Sequence, residues 1–280
     1  MTVRRLVEEI SVVKVNGQKE NFRWSKVRHA LSRVGISGKS SDLVMEKLRG
    51  QLYDGITTKK IYQILYRIID EMRPEVSHKF NLKNALFDLG PEGYHFEDFI
   101  SRLFEREGYR TRVRQIVRGR LLNHETDVVA QKNGKQYMIE CKFHNQPGIK
   151  CSIQTALYVY ARFLEIVEGS KIGNCEKFDR PWLITNTKFS EDVVTYVEGM
   201  EIPATGWRYP IKDSLEVKID KTKCYPISAI DMDKESRAML LKNNIVSVFD
   251  LPESAEKLRL ISGLKPKSAA SIIERLHQIK

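Results

Sequence analysis

Apolar positions in this chain recur with two periods, and the changes of period divide it into three stretches. Residues 10–15 read as a strand, and Asn16-Gly17 is a tight-turn pair in which both residues tolerate positive φ. Residues 18–22 read as the return strand. The period then lengthens: Val27, Ala30, Leu31 and Val34 mark a helix, with Ser25 as its expected cap and Gly35 as its end. Helical patterns follow over residues 43–52 and 58–72, punctuated by Asp54-Gly55, with Thr57 or Thr58 as the second cap. Pro74 stops that helix, and a short one over 78–89 leads to Gly90-Pro91, an expected boundary. A hairpin plus a small helical bundle is predicted for residues 1–89.

The second stretch, residues 90–225, opens with an amphipathic helix over 94–107 that turns Phe96, Phe99, Ile100, Leu103 and Phe104 inward and ends at Gly108. Strand patterns follow over 110–117, 126–131 and 136–142, the last two joined by Asn133-Gly134. A long helix over 153–168, a buried strand over 181–186 and a helix capped by Ser190 complete it. This order predicts a mixed sheet flanked by helices. Residues 226–280 are helical, with Gly263 to Lys267 between two short helices. The fold class is α/β (an α+β multidomain chain) in three domains, 1–89, 90–225 and 226–280.

Composition is that of an ordinary globular chain: 280 residues, 41% hydrophobic and 30% charged. No apolar run approaches the ~18 residues that cross a bilayer, and the N-terminus lacks a secretory pattern. Cys141, Cys151, Cys175 and Cys224 are widely spaced, which argues against a disulfide framework or thiolate zinc site. A reducing cytoplasm with no membrane partner is the expectation. The 47 basic against 36 acidic residues leave +11, a balance that favours polyanionic partners. Residues 1–88 carry +7 of it. Seven arginines (102, 106, 110, 112, 114, 118 and 120) fall in one stretch opposed by Glu105 and Glu107. Such a run is a solvated face or a phosphate-neutralising one.

Asp127 lies in one strand of the expected hairpin, and Glu140 and Lys142 in the other. Alternation puts Glu140 and Lys142 on one face, and the adjacent strand brings Asp127 beside them. Two carboxylates are hard ligands for Mg²⁺ or Mn²⁺, and a lysine can orient water or neutralise developing charge. Cys141 alternates away as a core residue. His124 and His144 read as surface or structural histidines. Tyr158 and Arg162 follow Gln154 on successive helical turns, where substrate contact and packing suit them equally.

These residues resemble the PD-(D/E)XK nuclease pattern: Asp127, Glu140-x-Lys142 and a helical glutamate, Glu97. Gly108-Tyr109 and Gln154 resemble its Mrr-type restriction endonuclease branch over about residues 90–210. The resemblance implies a mixed sheet and Mg²⁺-dependent DNA cleavage. In it, Asp127 and Glu140 hold the metal, Lys142 assists the nucleophilic water, Glu97 supports the metal shell and Gln154 approaches the active face. Thr126 stands where a proline often precedes the aspartate.

In the first stretch, Val13 to Gly17, Phe22, Lys26-Val27 and Tyr53 to Thr58 resemble the ATP-cone domain. That resemblance implies a hairpin lid over a four-helix bundle binding ATP or dATP. Lys14 and Lys26 would meet phosphates, Val27 would pack by the base, and Thr58 would position the nucleotide. Val15 stands where a basic residue is common. No phosphate-cradling hydrolase loop is present. Leu260 to Ala269 resemble a helix-hairpin-helix turn, which offers backbone N–H groups to a DNA phosphate. Together these patterns imply a metal-dependent endonuclease of double-stranded DNA, regulated by adenine nucleotide and acting in defence against foreign DNA. Paired cuts on both strands imply a homodimer or larger homo-oligomer. The alternatives are a nucleotide-responsive DNA-binding regulator that does not cut, and a structure-specific repair or junction nuclease.

Overall fold

The computed structural model describes residues 10–14 and 16–279. Val15, the end of the expected first strand, lies outside the described residues. The chain forms two compact units, 1–81 and 82–280.

In the first unit β1 (Ser11–Val13) pairs antiparallel with β2 (Lys19–Asn21) and parallel with β3 (Ile56–Thr57). Helices α1 (Trp24–Arg33), α2 (Gly38–Arg49) and α3 (Thr58–Met72) supply most of its core. Val12, Val27, Leu31, Val44, Leu48, Ile56, Ile64 and Ile68 pack together there. Ser25 does not cap α1. The helix starts two residues earlier than that cap implies, at Trp24, and its N-cap Arg23 makes no side-chain capping bond. Trp24 packs edge-on against Phe22, with centroids 4.9 Å apart, which places the first turn. Thr57, not Thr58, caps α3, accepting from Lys60 N at 3.1 Å. Pro74 ends that helix and also opens α4 (Pro74–Phe87), because a proline's missing N–H costs nothing in a first turn.

The second unit is built on a five-stranded mixed sheet, ordered β10-β8-β6-β5-β4. Its strands are β4 (Arg110–Arg118), β5 (Asn123–Lys132), β6 (Lys135–Lys142), β8 (Arg180–Thr185) and β10 (Ala204–Thr205). β4, β5 and β6 are successively antiparallel, whereas β8 runs parallel to β6. The Asn133-Gly134 turn takes positive φ at both residues, 52° and 75°, as the tight hairpin requires. Helix α5 (Tyr94–Arg106) buries Phe96, Phe99, Ile100, Leu103 and Phe104 in a cluster with Val128, Ala130, Ile139 and Ile184 from the sheet. Alternate residues Val129, Met138 and Leu183 pack with Val159, Phe163 and Ile166 of α6 (Ile153–Lys171). The sheet therefore lies between two helical layers.

Besides β3 and β10, the sequence did not predict the parallel pair β7 (Lys150–Cys151) and β9 (Lys188–Phe189), nor α8 (Leu215–Thr222), which follows α7 (Glu191–Gly199). Helices α9 (Lys234–Lys242), α10 (Ala255–Ser262) and α11 (Pro266–Ile279) share one apolar cluster with α5, through Leu240, Leu258 and Leu276. Ser228 also donates to the Ala85 carbonyl at 2.5 Å, and Arg237 pairs with Asp88 at 3.0 Å. Among the described residues no helix is long and apolar enough to cross a membrane.

The β4–β5 turn is clamped onto α6. Glu165 accepts from His124 Nε2 at 2.5 Å and from the backbone of Leu121 and Leu122, and Asn174 donates to the Gly119 carbonyl at 2.8 Å. Gly169 makes this contact possible, since a Cβ there would lie 2.7 Å from Gly119 Cα. Gly169→Ala is expected to destabilise the protein by about 1–3 kcal/mol in urea unfolding, as overpacking does. Gly199→Ala meets nothing within 4 Å and should be neutral or slightly stabilising.

Candidate functional site

The pairing of β5 with β6 ends at Val128 opposite Ile139. Beyond that pair β5 stays with β4, through Thr126 and Gln115, while β6 stays with β8, through Glu140 and Leu183. One step past the end of the shared ladder, Asp127 and Glu140 stand opposite each other. With no β5 partner to bond, the Cys141 N–H donates instead to Asp127 Oδ2 at 2.7 Å. The sequence order Asp127, then Glu140-x-Lys142 across a tight turn, therefore becomes a pair of acids where two strands part.

The two carboxylates differ in surroundings. Asp127 is largely desolvated, and burial followed by the charge of Glu140 pushes its carboxyl up to about 7, against the lowering effect of the Cys141 N–H bond. Glu140 Oε2 accepts from Arg162 Nη1 at 2.7 Å, in a pair whose side chains are 18% and 10% exposed. Arg162 also donates to the Glu125 carbonyl and lies over the Tyr158 ring at 5.3 Å. Lys142, two residues beyond Glu140 on β6, is exposed and has no ion pair among the described residues.

Glu97, on the first turn of α5, is charge-coupled to Asp127. Its own carboxyl is raised by burial, an effect the neighbouring Arg114 opposes. Arg114 reaches Glu97 at 3.5 Å and Asp98 at 2.8 Å. This arginine occupies the left-handed region, φ 50°, in the middle of β4, between Val113 opposite Val128 and Gln115 opposite Thr126. A non-glycine residue in that conformation is strained, and here it brings a guanidinium to two acids of α5. Gln154 lies exposed near the start of α6. The His144 side chain is partly buried, its Nε2 has no partner among the described residues, and burial with Lys142 nearby lowers its pKa. Cys141 packs against the core on the α5 side.

The arginine-rich stretch is mostly committed internally. Arg102 meets Asp250 at 2.9 Å, Arg112 meets Glu176 at 2.8 Å, Arg114 is taken as described, and Arg106 stacks on Phe249. In the first unit Lys14 and Lys26 both contact Glu20, at 2.9 and 2.6 Å. Those contacts, Lys26 first, hold the Glu20 carboxyl down to about 2. Val27 is buried in that unit's core, and Thr58 begins α3.

The sequence placed Asp127, Glu140 and Lys142 together but did not single out Arg114 or Asp98. Its reading of Arg162 left substrate contact and packing open. A mid-strand arginine in an αL conformation leaves no local signal, because its cause is tertiary.

A mixed sheet between two helical layers, with Asp and Glu-x-Lys on adjacent strands, defines a nuclease-type α/β domain. Residues 91–204 match the restriction endonuclease family Mrr_cat. An uncharacterized protein of Archaeoglobus fulgidus is 40% identical over 181 residues, which cover 64% of this chain and 99% of that protein. A crystal structure of a protein of unknown function, AF1548, is similar with a TM-score of 0.55 and 39% identity, over 67% of this chain and 98% of the other. The chain belongs to the same family as the Archaeoglobus protein, and its central domain is of the restriction endonuclease type.

Asp127→Asn removes the raised acid while keeping an acceptor for the Cys141 N–H. A carboxyl whose folded pKa lies above its unfolded one binds its proton more tightly in the folded state, so it costs stability as pH rises from about 4 through 7. In EDTA, Asp127→Asn should therefore be more stable than the parent by roughly 1–3 kcal/mol at pH 8. The gain should shrink towards zero near pH 4, as read by urea unfolding at both pH values.

Proposed function

We propose that the centre formed by Asp127, Glu140 and Lys142 hydrolyses DNA phosphodiester bonds with a divalent cation. The observation that carries this reading is the placement of two facing carboxylates where β5 and β6 part, on a domain of the restriction endonuclease type. The donor set fits a hard cation. Asp127 Oδ1 and Glu140 Oε1 have no protein donor among the described residues, and burial first, then the charge of Glu140, raises the Asp127 carboxyl, a cost that a bound dication would offset. Among the described residues no group of three or more His, Cys, Asp and Glu side chains is arranged to hold a metal. In this proposal Asp127 and Glu140 are the side chains that would hold the cation, with its remaining positions open to water and phosphate. A divalent cation held there would supply charge stabilisation at the phosphate and a more acidic bound water.

The chain's own residues do the rest. Asp127 and Glu140 fix the attacking water's position relative to phosphorus. Lys142, exposed and without an ion pair among the described residues, sets a positive charge beside that water and the developing phosphorane oxygens. Glu97, held by Arg114, adds negative charge behind Asp127. Gln154 on α6 flanks the DNA path. Duplex DNA is the substrate, and restriction of foreign DNA is the role that fits the family resemblance. Purified protein with Mg²⁺ should cut plasmid DNA, and Glu140→Ala or Lys142→Ala should slow cutting by 10²-fold or more with native circular dichroism. Equal cutting by these variants contradicts the assignment. No cutting by the parent under any divalent cation favours a DNA-binding regulator, and preference for branched over linear duplex favours a junction nuclease.

The first unit serves in this proposal as an ATP or dATP sensor. Lys14 and Lys26, gathered by Glu20, supply charge for a triphosphate, and Thr58 stands at the positive end of α3. Val27 would line the base from the core side. The turn between α10 and α11, where Gly263 has φ 71°, offers backbone N–H groups to a DNA phosphate. Lys14→Ala with Lys26→Ala should weaken ATP binding in calorimetry by at least about tenfold. Unchanged binding removes these lysines from the nucleotide site.

A further inference from the structure

The hydrolytic scheme leaves the guanidinium of Arg162 unused, although it is bound directly to Glu140. Nη1 lies 2.7 Å from Glu140 Oε2, and the arginine side chain is 10% exposed. Nη2 donates to the Glu125 carbonyl, on the strand that carries Asp127. Arg162 therefore ties the two parting strands together from α6. Successive turns of that helix face the sheet: Tyr158 lies under the guanidinium, Arg162 bonds Glu140, and Glu165 bonds the β4–β5 turn. A desolvated guanidinium is tolerated only while a carboxylate faces it. The same carboxylate is one of the two that a divalent cation must use.

We propose that Arg162 and the divalent cation compete for Glu140. In the DNA-free protein Arg162 is the resident counter-ion, holding Glu140 in place, and full cation binding requires it to give that carboxylate up. The inference rests on the hydrolytic reading of the same centre. It makes Arg162 a positioning residue that sets the cation concentration at which the centre loads. The released guanidinium, a planar fork suited to phosphate oxygens, gains a new partner when a phosphodiester arrives. DNA and cation thereby favour each other's binding, which is a linkage between two ligands of one site.

The test measures Mn²⁺ binding at pH 8 without DNA, using the paramagnetic resonance signal of free Mn²⁺. Wild type, R162M, R162Q, R162K and E140Q are compared. Removing the competing charge should tighten Mn²⁺ binding on the order of tenfold in R162M and R162Q, with R162K staying near wild type. R162Q retains a donor for the Glu125 carbonyl, so it decides the matter if R162M does not fold. A gain of affinity is not what a merely structural arginine yields on removal. Wild-type affinity in natively folded R162Q, with binding lost in E140Q, overturns the competition and leaves the hydrolytic reading standing. Equal binding by E140Q and wild type removes the cation from Glu140 and overturns both.

Discussion

Two carboxyl groups are held opposite each other where a β-ladder ends, and the rest of the second unit is arranged around that conflict. Asp127 and Glu140 sit one step beyond the last β5–β6 pair. The strands part there because β4 and β8 each retain one of them. The gap left in the ladder is filled by a carboxylate accepting the Cys141 N–H. Desolvating two facing acids costs free energy unless a cation is present, so the centre calls for positive charge from every side.

The surrounding elements supply it in layers. Arg162 approaches Glu140 from α6, Arg114 approaches Glu97 and Asp98 through a strained position in β4, and Lys142 stays exposed. The clamp of Glu165 on the β4–β5 turn fixes α6, and with it Arg162, against the strand that carries Asp127. The apolar core is simpler: alternate residues of the sheet feed two helical layers, and α5 contributes the phenylalanines of one of them. The layers supply the apolar core, and the two facing acids lie at the edge where the β5–β6 ladder ends.

What was legible in the sequence followed periodicity and turn chemistry. The Asn133-Gly134 hairpin, the amphipathic α5 and the strand partners of Asp127, Glu140 and Lys142 are local patterns that survive folding. The starts of α1 and α4 were misplaced because Trp24 packing and the first-turn tolerance of Pro74 outweighed the capping rule. The two-residue strands β3, β7, β9 and β10 were invisible, since their pairing depends on distant segments and two residues carry no period. The roles of Arg114 and Arg162 were hidden for the same reason. A guanidinium in a basic run looks solvated until the fold brings an acid to it, and most of that run proved to be internally paired.

We propose that Asp127 and Glu140 share one divalent cation. Diffraction from a crystal soaked in Mn²⁺ measures this most directly, through the anomalous scattering of the ion. A peak is expected about 2.0–2.2 Å from one oxygen of each carboxylate, with Arg162 withdrawn from Glu140. An empty position between the two acids at saturating Mn²⁺, with the Arg162–Glu140 pair intact, contradicts it.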